Sequence, residues 1–145
     1  MGSPAYGKIF LGGTVTKKVW EMLCDEEPGL EDFLDEDGEP LCYENSEASY
    51  GQFDELEAAC RKWGVPYTRY SEATPGDGAV MVYWHPGMTK PVEQCIDDVG
   101  IPCVDIRKAK AALKALQKGK TDLAVKFLEY LCQEPPEPPP FKIEG

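Results

Sequence analysis

Residues Leu41–Met88, LCYENSEASYGQFDELEAACRKWGVPYTRYSEATPGDGAVMVYWHPGM, decide the fold of this chain. They read as strand, helix, strand, turn, strand. Leu41–Ser46 is rich in strand formers. Ser49 followed by Gln52 matches a capping box opening a helix over about Tyr50–Trp63. Phe53, Leu56, Cys60 and Trp63 recur at i, i+3, i+7 and i+10 and make one apolar stripe along it. Arg61 and Lys62 suit the negative end of the helix dipole, Gly64 stops the helix and Pro66 prevents its continuation. Val65–Ser71 and Ala79–His85 then form a hairpin around the turn residues Thr74–Gly78, and Pro86-Gly87 closes it.

On the N-terminal side, Lys8–Val15 reads as one strand with a glycine bulge, and Thr16 as the cap of a helix ended by Pro28-Gly29. Leu30, Phe33 and Leu34 offer one more helical turn, and Asp37-Gly38 a turn before the next strand. On the C-terminal side, Pro91–Val99 reads as a short helix and Ile101–Val104 as an edge strand. Asp105 and Thr121 begin two helices whose stripes, Ile106, Ala109, Leu113 and Leu116, then Leu123, Phe127, Leu128 and Leu131, are expected to be buried in a helical hairpin. Pro135–Pro140 holds five prolines in six positions, so residues 133–145 read as an extended or flexible tail. The expected fold is α+β: a small mixed or antiparallel sheet in the order β-α-β-α-β-β, a ferredoxin-like variant, with helices on one face. One domain, 1–132, combines the sheet and two helices (1–88) with a helical extension (89–132).

The 145 residues suffice for one domain with a core, and a hydrophobic content of 42% is that of a globular chain. No apolar run reaches the roughly 20 residues of a membrane helix, and the N-terminus lacks a secretory signal pattern. The six cysteines include no CxxC pair, which fits reduced, mostly buried thiols in the cytoplasm of a host cell. The net charge of -11 is uneven: Glu21–Glu57 carries fifteen acids and no Lys or Arg, whereas Asp105–Cys132 has seven basic residues and three acids. Such asymmetry bears on partners more than on fold.

The sequence has no phosphate-binding glycine loop and no nucleophile motif, so no catalytic residue and no cofactor is assigned. Asp35, Asp37 and Glu39 alternate as in a calcium loop, but the glycine and the closing glutamate are misplaced, so no metal is assigned either. His85 is the single histidine. With Glu44, Glu47 or Glu72 it would give a small enzyme or ligand-binding domain, the alternative reading. An open aromatic sheet face drawn from Tyr43, Tyr50, Tyr67, Tyr70, Tyr83 and Trp84 has only Arg69 nearby, so phosphate repulsion by the acids argues against direct nucleic-acid binding. The lysines of the C-terminal helices read as a solvated face, and the proline tail as a possible polyproline ligand for an adaptor role.

The stretches SYGQFDELEAACRKWGVPYTRYSEA, VYWHPGM and KALQKGKTDLAVKFLEYL resemble uncharacterised small acidic proteins of phages and mobile elements. That resemblance implies an inhibitor of host machinery, such as an anti-defence protein of the anti-CRISPR kind. The reading is therefore a non-enzymatic binding protein. Its acidic residues Glu31, Asp32, Asp35, Glu36, Asp37 and Glu39 would engage a basic, nucleic-acid-binding protein surface, and neither nucleic acid nor membrane directly. The sequence leaves the oligomeric state open.

Overall fold

The computed structural model describes residues 4–34, 39–74, 78–97 and 99–144. Its strands are β1 (Pro4–Leu11), β2 (Gly13–Thr16), β3 (Leu41–Ser49), β4 (Tyr67–Ser71), β5 (Val80–Trp84), β6 (Val92–Cys95) and β7 (Phe141–Glu144). Its helices are α1 (Lys17–Glu26), α2 (Asp54–Trp63), α3 (Ile106–Gln117) and α4 (Thr121–Leu131), with a 3-10 turn at Leu30–Phe33. The main sheet has the order β3-β1-β4-β5-β6 and every neighbouring pair is antiparallel. The fold is α+β, as the pattern of elements predicts.

Side chains alternate across the sheet, so each strand serves two environments. Ile9 and Leu11, Leu41 and Tyr43, Tyr67, and Val82 and Trp84 pack in one core with Leu23 of α1 and Leu56 and Cys60 of α2. The α2 stripe read from the sequence is thus the buried one for Leu56 and Cys60, while Trp63 at its end stays exposed. Gly64 ends α2 with φ of 72°, a left-handed conformation that costs a residue without Cβ nothing extra. Thr16 caps α1 as expected: its Oγ1 accepts from the Val19 N–H at 3.2 Å.

The start of α2 departs from the expected capping box. Ser49 closes β3, Tyr50 and Gly51 turn, and the helix begins at Asp54. Its cap comes from Glu57, whose Oε2 accepts from the Phe53 N–H at 2.9 Å. The other oxygen of Glu57 accepts from Arg69 Nε on β4, also at 2.9 Å. Arg69 donates onward to Ser71 Oγ, and Ser71 donates to the Gly51 carbonyl at 2.7 Å. Glu57 is 4% exposed and Arg69 6%, so this ion pair lies inside the protein. Buried charges survive only when paired and hydrogen-bonded, and here both oxygens of the carboxylate are used.

Four further expectations need correction. Lys8–Val15 is not one strand, because the chain parts at Gly12 into β1 and β2. Val92–Cys95 pairs with β5 rather than forming a helix; so short a segment cannot repay helix nucleation, whereas pairing satisfies the β5 edge. Ile101–Val104 forms only a single bridge, Ile96 with Pro102, because proline has no N–H to extend the ladder. The C-terminal stripes are not buried: Ile106, Leu113, Leu116, Leu123, Phe127 and Leu128 are exposed, and α3 packs on α4 through Ala112, Ala115 and Ala124.

The proline tail is docked as well. Pro135–Pro140 crosses the sheet face opposite α1 and α2, beside Phe10, Thr68 and Tyr83. β7 then pairs in parallel with β2, and Phe141 is buried with its ring 5.5 Å from Trp20. Gly12 is required at the crossing, since a Cβ there would collide with the Pro139 carbonyl. Polyproline conformation and anchoring at the far end are compatible, and the sequence pattern reports only the first.

Arg69→Met leaves a charged Glu57 without its partner in the interior and is expected to cost about 3–5 kcal/mol. The double change Glu57→Gln with Arg69→Met is expected to cost less than the sum of its singles, read from urea midpoints. Phe141→Ala is expected to cost about 3 kcal/mol in the same assay, which an undocked tail would not.

Candidate functional site

Part of the Glu21–Glu57 stretch gathers its acids on one surface, whereas Glu57 is in the core and Glu39 and Glu44 lie on the sheet face crossed by the proline tail. Glu21 and Asp25 stand four residues apart on α1, so one helical turn stacks them on one side. Glu27 follows the helix, Glu31 lies in the 3-10 turn, and Glu55 lies in the first turn of α2, which packs against α1. Three titratable groups among them are shifted. The Cys24 thiol is pushed up to about 11 by burial, then by Glu31, Asp25 and Glu21. The Tyr43 hydroxyl is pushed up to about 12 by burial, then by Glu27, to which it donates, and by Glu31. Burial raises the Glu27 carboxyl; its bond from Tyr43 opposes this and the nearby Glu55 charge adds to it. Glu21, Asp25, Glu27, Glu31 and Glu55 therefore form one negative surface where α1, the 3-10 turn and α2 meet.

The acids of that surface form no ion pair among the described residues, although Lys62 borders the same cleft as Glu55. Among the described residues the ion pairs are Arg69–Glu57, in the core, and Arg107–Asp105, at the start of α3. The lysines of α3 and α4 form none with these acids.

Of the residues singled out from the sequence, Glu31 and Asp32 are exposed on the 3-10 turn, and Glu39 is exposed just before β3. Asp35, Glu36 and Asp37 lie outside the described residues. The sequence points to the whole Glu21–Glu57 stretch and centres on its loop acids, and the structure adds weight to Glu21, Asp25 and Glu55 on the flanking helices. The i, i+4 spacing of the first two was the available signal.

The alternative constellation is divided. His85 is exposed directly after β5, at the end where Trp84 pairs with Tyr67. Glu72 directly follows β4 at the other end, where Ser71 pairs with Val80. Five residue pairs of ladder separate them, roughly 17 Å at the rise of a strand, beyond reach of one substrate atom. Glu44 and Glu72 do meet, around Tyr6: Glu72 Oε1 accepts from the Tyr6 N–H at 2.7 Å, and the Glu44 charge, after burial, raises the Tyr6 hydroxyl. Glu47 is exposed farther along β3.

The aromatic residues divide between environments too. Tyr43, Tyr67 and Trp84 are core, and Tyr83 is buried on the strapped face. On that face Lys8 stands 5.4 Å from the ring centres of both Phe10 and Tyr70, beside a cleft of about 690 Å³. Arg69, the base expected there, lies on the opposite face with Glu57. All six cysteines are free; only Cys60 is buried, while Cys95, Cys103 and Cys132 are exposed, which corrects the expectation of mostly buried thiols. Among the described residues, no three His, Cys, Asp or Glu side chains are placed to hold a metal ion, and no helix is long and apolar enough to cross a membrane. Compared with family models, curated proteins and solved structures, the chain matches none.

The raised Cys24 value makes the surface measurable. The folded state favours the neutral thiol, so its contribution to stability is complete below the ordinary value of 9.0 and lost as pH rises through about 11. Alkylation of Cys24 is expected to rise with a midpoint near 11, and Glu31→Gln, which removes the nearest charge, is expected to lower that midpoint. The readout is mass spectrometry of modified peptides over a pH series.

Proposed function

We propose that this protein is a non-enzymatic binding protein whose acidic surface docks on a basic protein. The observation that carries the reading is the convergence of Glu21, Asp25, Glu27, Glu31 and Glu55 on one surface, none of them in an ion pair among the described residues. Like charges held together in a folded chain repel, and that repulsion costs stability in the free protein. A cationic partner relieves it and gains association rate from steering. Asp32 is exposed on the same 3-10 turn as Glu31, whereas Glu39 borders the sheet face crossed by the proline tail.

A surface of spaced carboxylates on a rigid frame suits competition with nucleic acid for a basic groove. That is the inhibitor role implied by the resemblance to small acidic proteins of mobile elements. The separation of His85 from Glu72 along the β4–β5 ladder favours binding over catalysis. Six free thiols, three of them exposed, suit the reducing cytoplasm of a host cell. The docked tail disfavours the adaptor role, since Pro135–Pro140 is already engaged by the protein's own sheet.

The test uses an arginine-rich peptide as the cationic probe, titrated over a salt series. Glu21→Lys, Glu31→Lys and Glu55→Lys together are expected to weaken binding by about tenfold or more and to flatten its salt dependence. Glu93→Lys with Glu134→Lys, which changes charge elsewhere, is the control and is expected to do less. Equal affinity and equal slope for both variants would overturn the reading.

A further inference from the structure

The hairpin of α3 and α4 has a seam but no core. The two helices are joined by Lys118-Gly119-Lys120 and therefore run antiparallel. At 100° per residue, Leu116, Leu113 and Ile106 fall on one side of the α3 alanine seam, and Leu128 and Val125 fall on the same side of the α4 seam. These five side chains are 65% (Ile106), 54% (Leu113), 53% (Leu116), 45% (Val125) and 47% (Leu128) exposed. The other side of the seam carries Tyr130, which neighbours Tyr83, and the chain just beyond α4 is held by Gln94, whose Nε2 donates to the Gln133 carbonyl at 2.8 Å. One side of the hairpin thus turns toward the sheet, and the side bearing the five apolar residues turns away from it.

The charges at the two edges of that outward side are opposite in sign. Lys110 and Lys114 flank it on α3; Asp122 and Glu129 flank it on α4, with Lys126 set farther round the helix. A two-fold axis parallel to the helices lays α3 of one copy on α4 of another, with all neighbours antiparallel. Counting 1.5 Å per residue from the shared loop, Lys110 then stands level with the second copy's Glu129, and Lys114 near its Asp122. The other two-fold arrangement, α3 on α3, sets lysine edge against lysine edge. The five half-exposed side chains amount to on the order of 450 Å² per copy, over half of the about 800 Å² per partner in a stable interface, and the alkyl stems of the edge lysines add to it.

We infer that two copies of this protein associate through the α3–α4 hairpin, forming an antiparallel four-helix bundle that covers Ile106, Leu113, Leu116, Val125 and Leu128. The acidic surface plays no part in this contact, so each dimer presents that surface twice.

Sedimentation equilibrium over a concentration series tests this. The wild type is expected to be dimeric, and Leu113→Glu with Leu128→Glu to raise the dissociation constant by about 100-fold or more while circular dichroism is unchanged. Lys110→Glu with Lys114→Glu, and separately Asp122→Lys with Glu129→Lys, are each expected to weaken self-association; an equimolar mixture of the two is expected to restore it, because both edges become complementary again. The mixture keeps the test valid even if an apolar-to-charged variant fails to fold. A wild type that stays monomeric into the millimolar range would overturn the inference. So would a dimer that survives the leucine changes, or one lost on reversing Glu21, Glu31 and Glu55.

Discussion

The Glu57–Arg69 pair ties the helical layer to the sheet. One carboxylate simultaneously caps α2 through the Phe53 N–H and meets the guanidinium of a central strand, and that guanidinium leads on to Ser71 and the Gly51 carbonyl. A hydrophobic layer alone allows a helix to slide along a sheet at little cost, because apolar contact has no direction. A buried ion pair with fixed donors and acceptors does not, since any slip exposes an unpaired charge to the interior. The rotation of α2 is thereby set, and with it the outward direction of Asp54 and Glu55. The negative surface owes its coherence to the one acid of its stretch shown to be neutralised.

Glu57 also illustrates what could be read in advance. The α2 stripe, its stop at Gly64 and the β4–β5 hairpin are local patterns, and each corresponds to an element of the structure. Pairing between distant positions leaves no periodic trace: Glu57 counted as one acid among fifteen, and Arg69 as a stray base near aromatic rings. The α3 and α4 stripes show the complementary limit. Helical spacing identifies an apolar side without saying whether anything covers it, and there the alanines took the seam while the larger residues stayed out. The proline tail was misjudged for a related reason, because composition describes how a segment is shaped, and a single anchoring residue, Phe141, decides where it lies.

The two ends of the charge distribution are kept apart by the same architecture. The acids gather where α1 meets α2, on the helical side of the sheet, while the lysines ride on α3 and α4, which extend from the β5–β6 side. In a chain of net charge -11 the attraction between these regions is available but unused within the described residues. Each region thus keeps its own polarity for contacts with other molecules.

The β2–β7 pairing has a consequence for synthesis. β7 follows every other described element in the chain, yet it completes a layer begun by β2, near the start. While a ribosome still holds the tail, Trp20 lacks its ring partner and the strapped face of the sheet is open to chaperones. Closing the strap is therefore a long-range step that waits on β7, after the strands and helices that precede it in the chain.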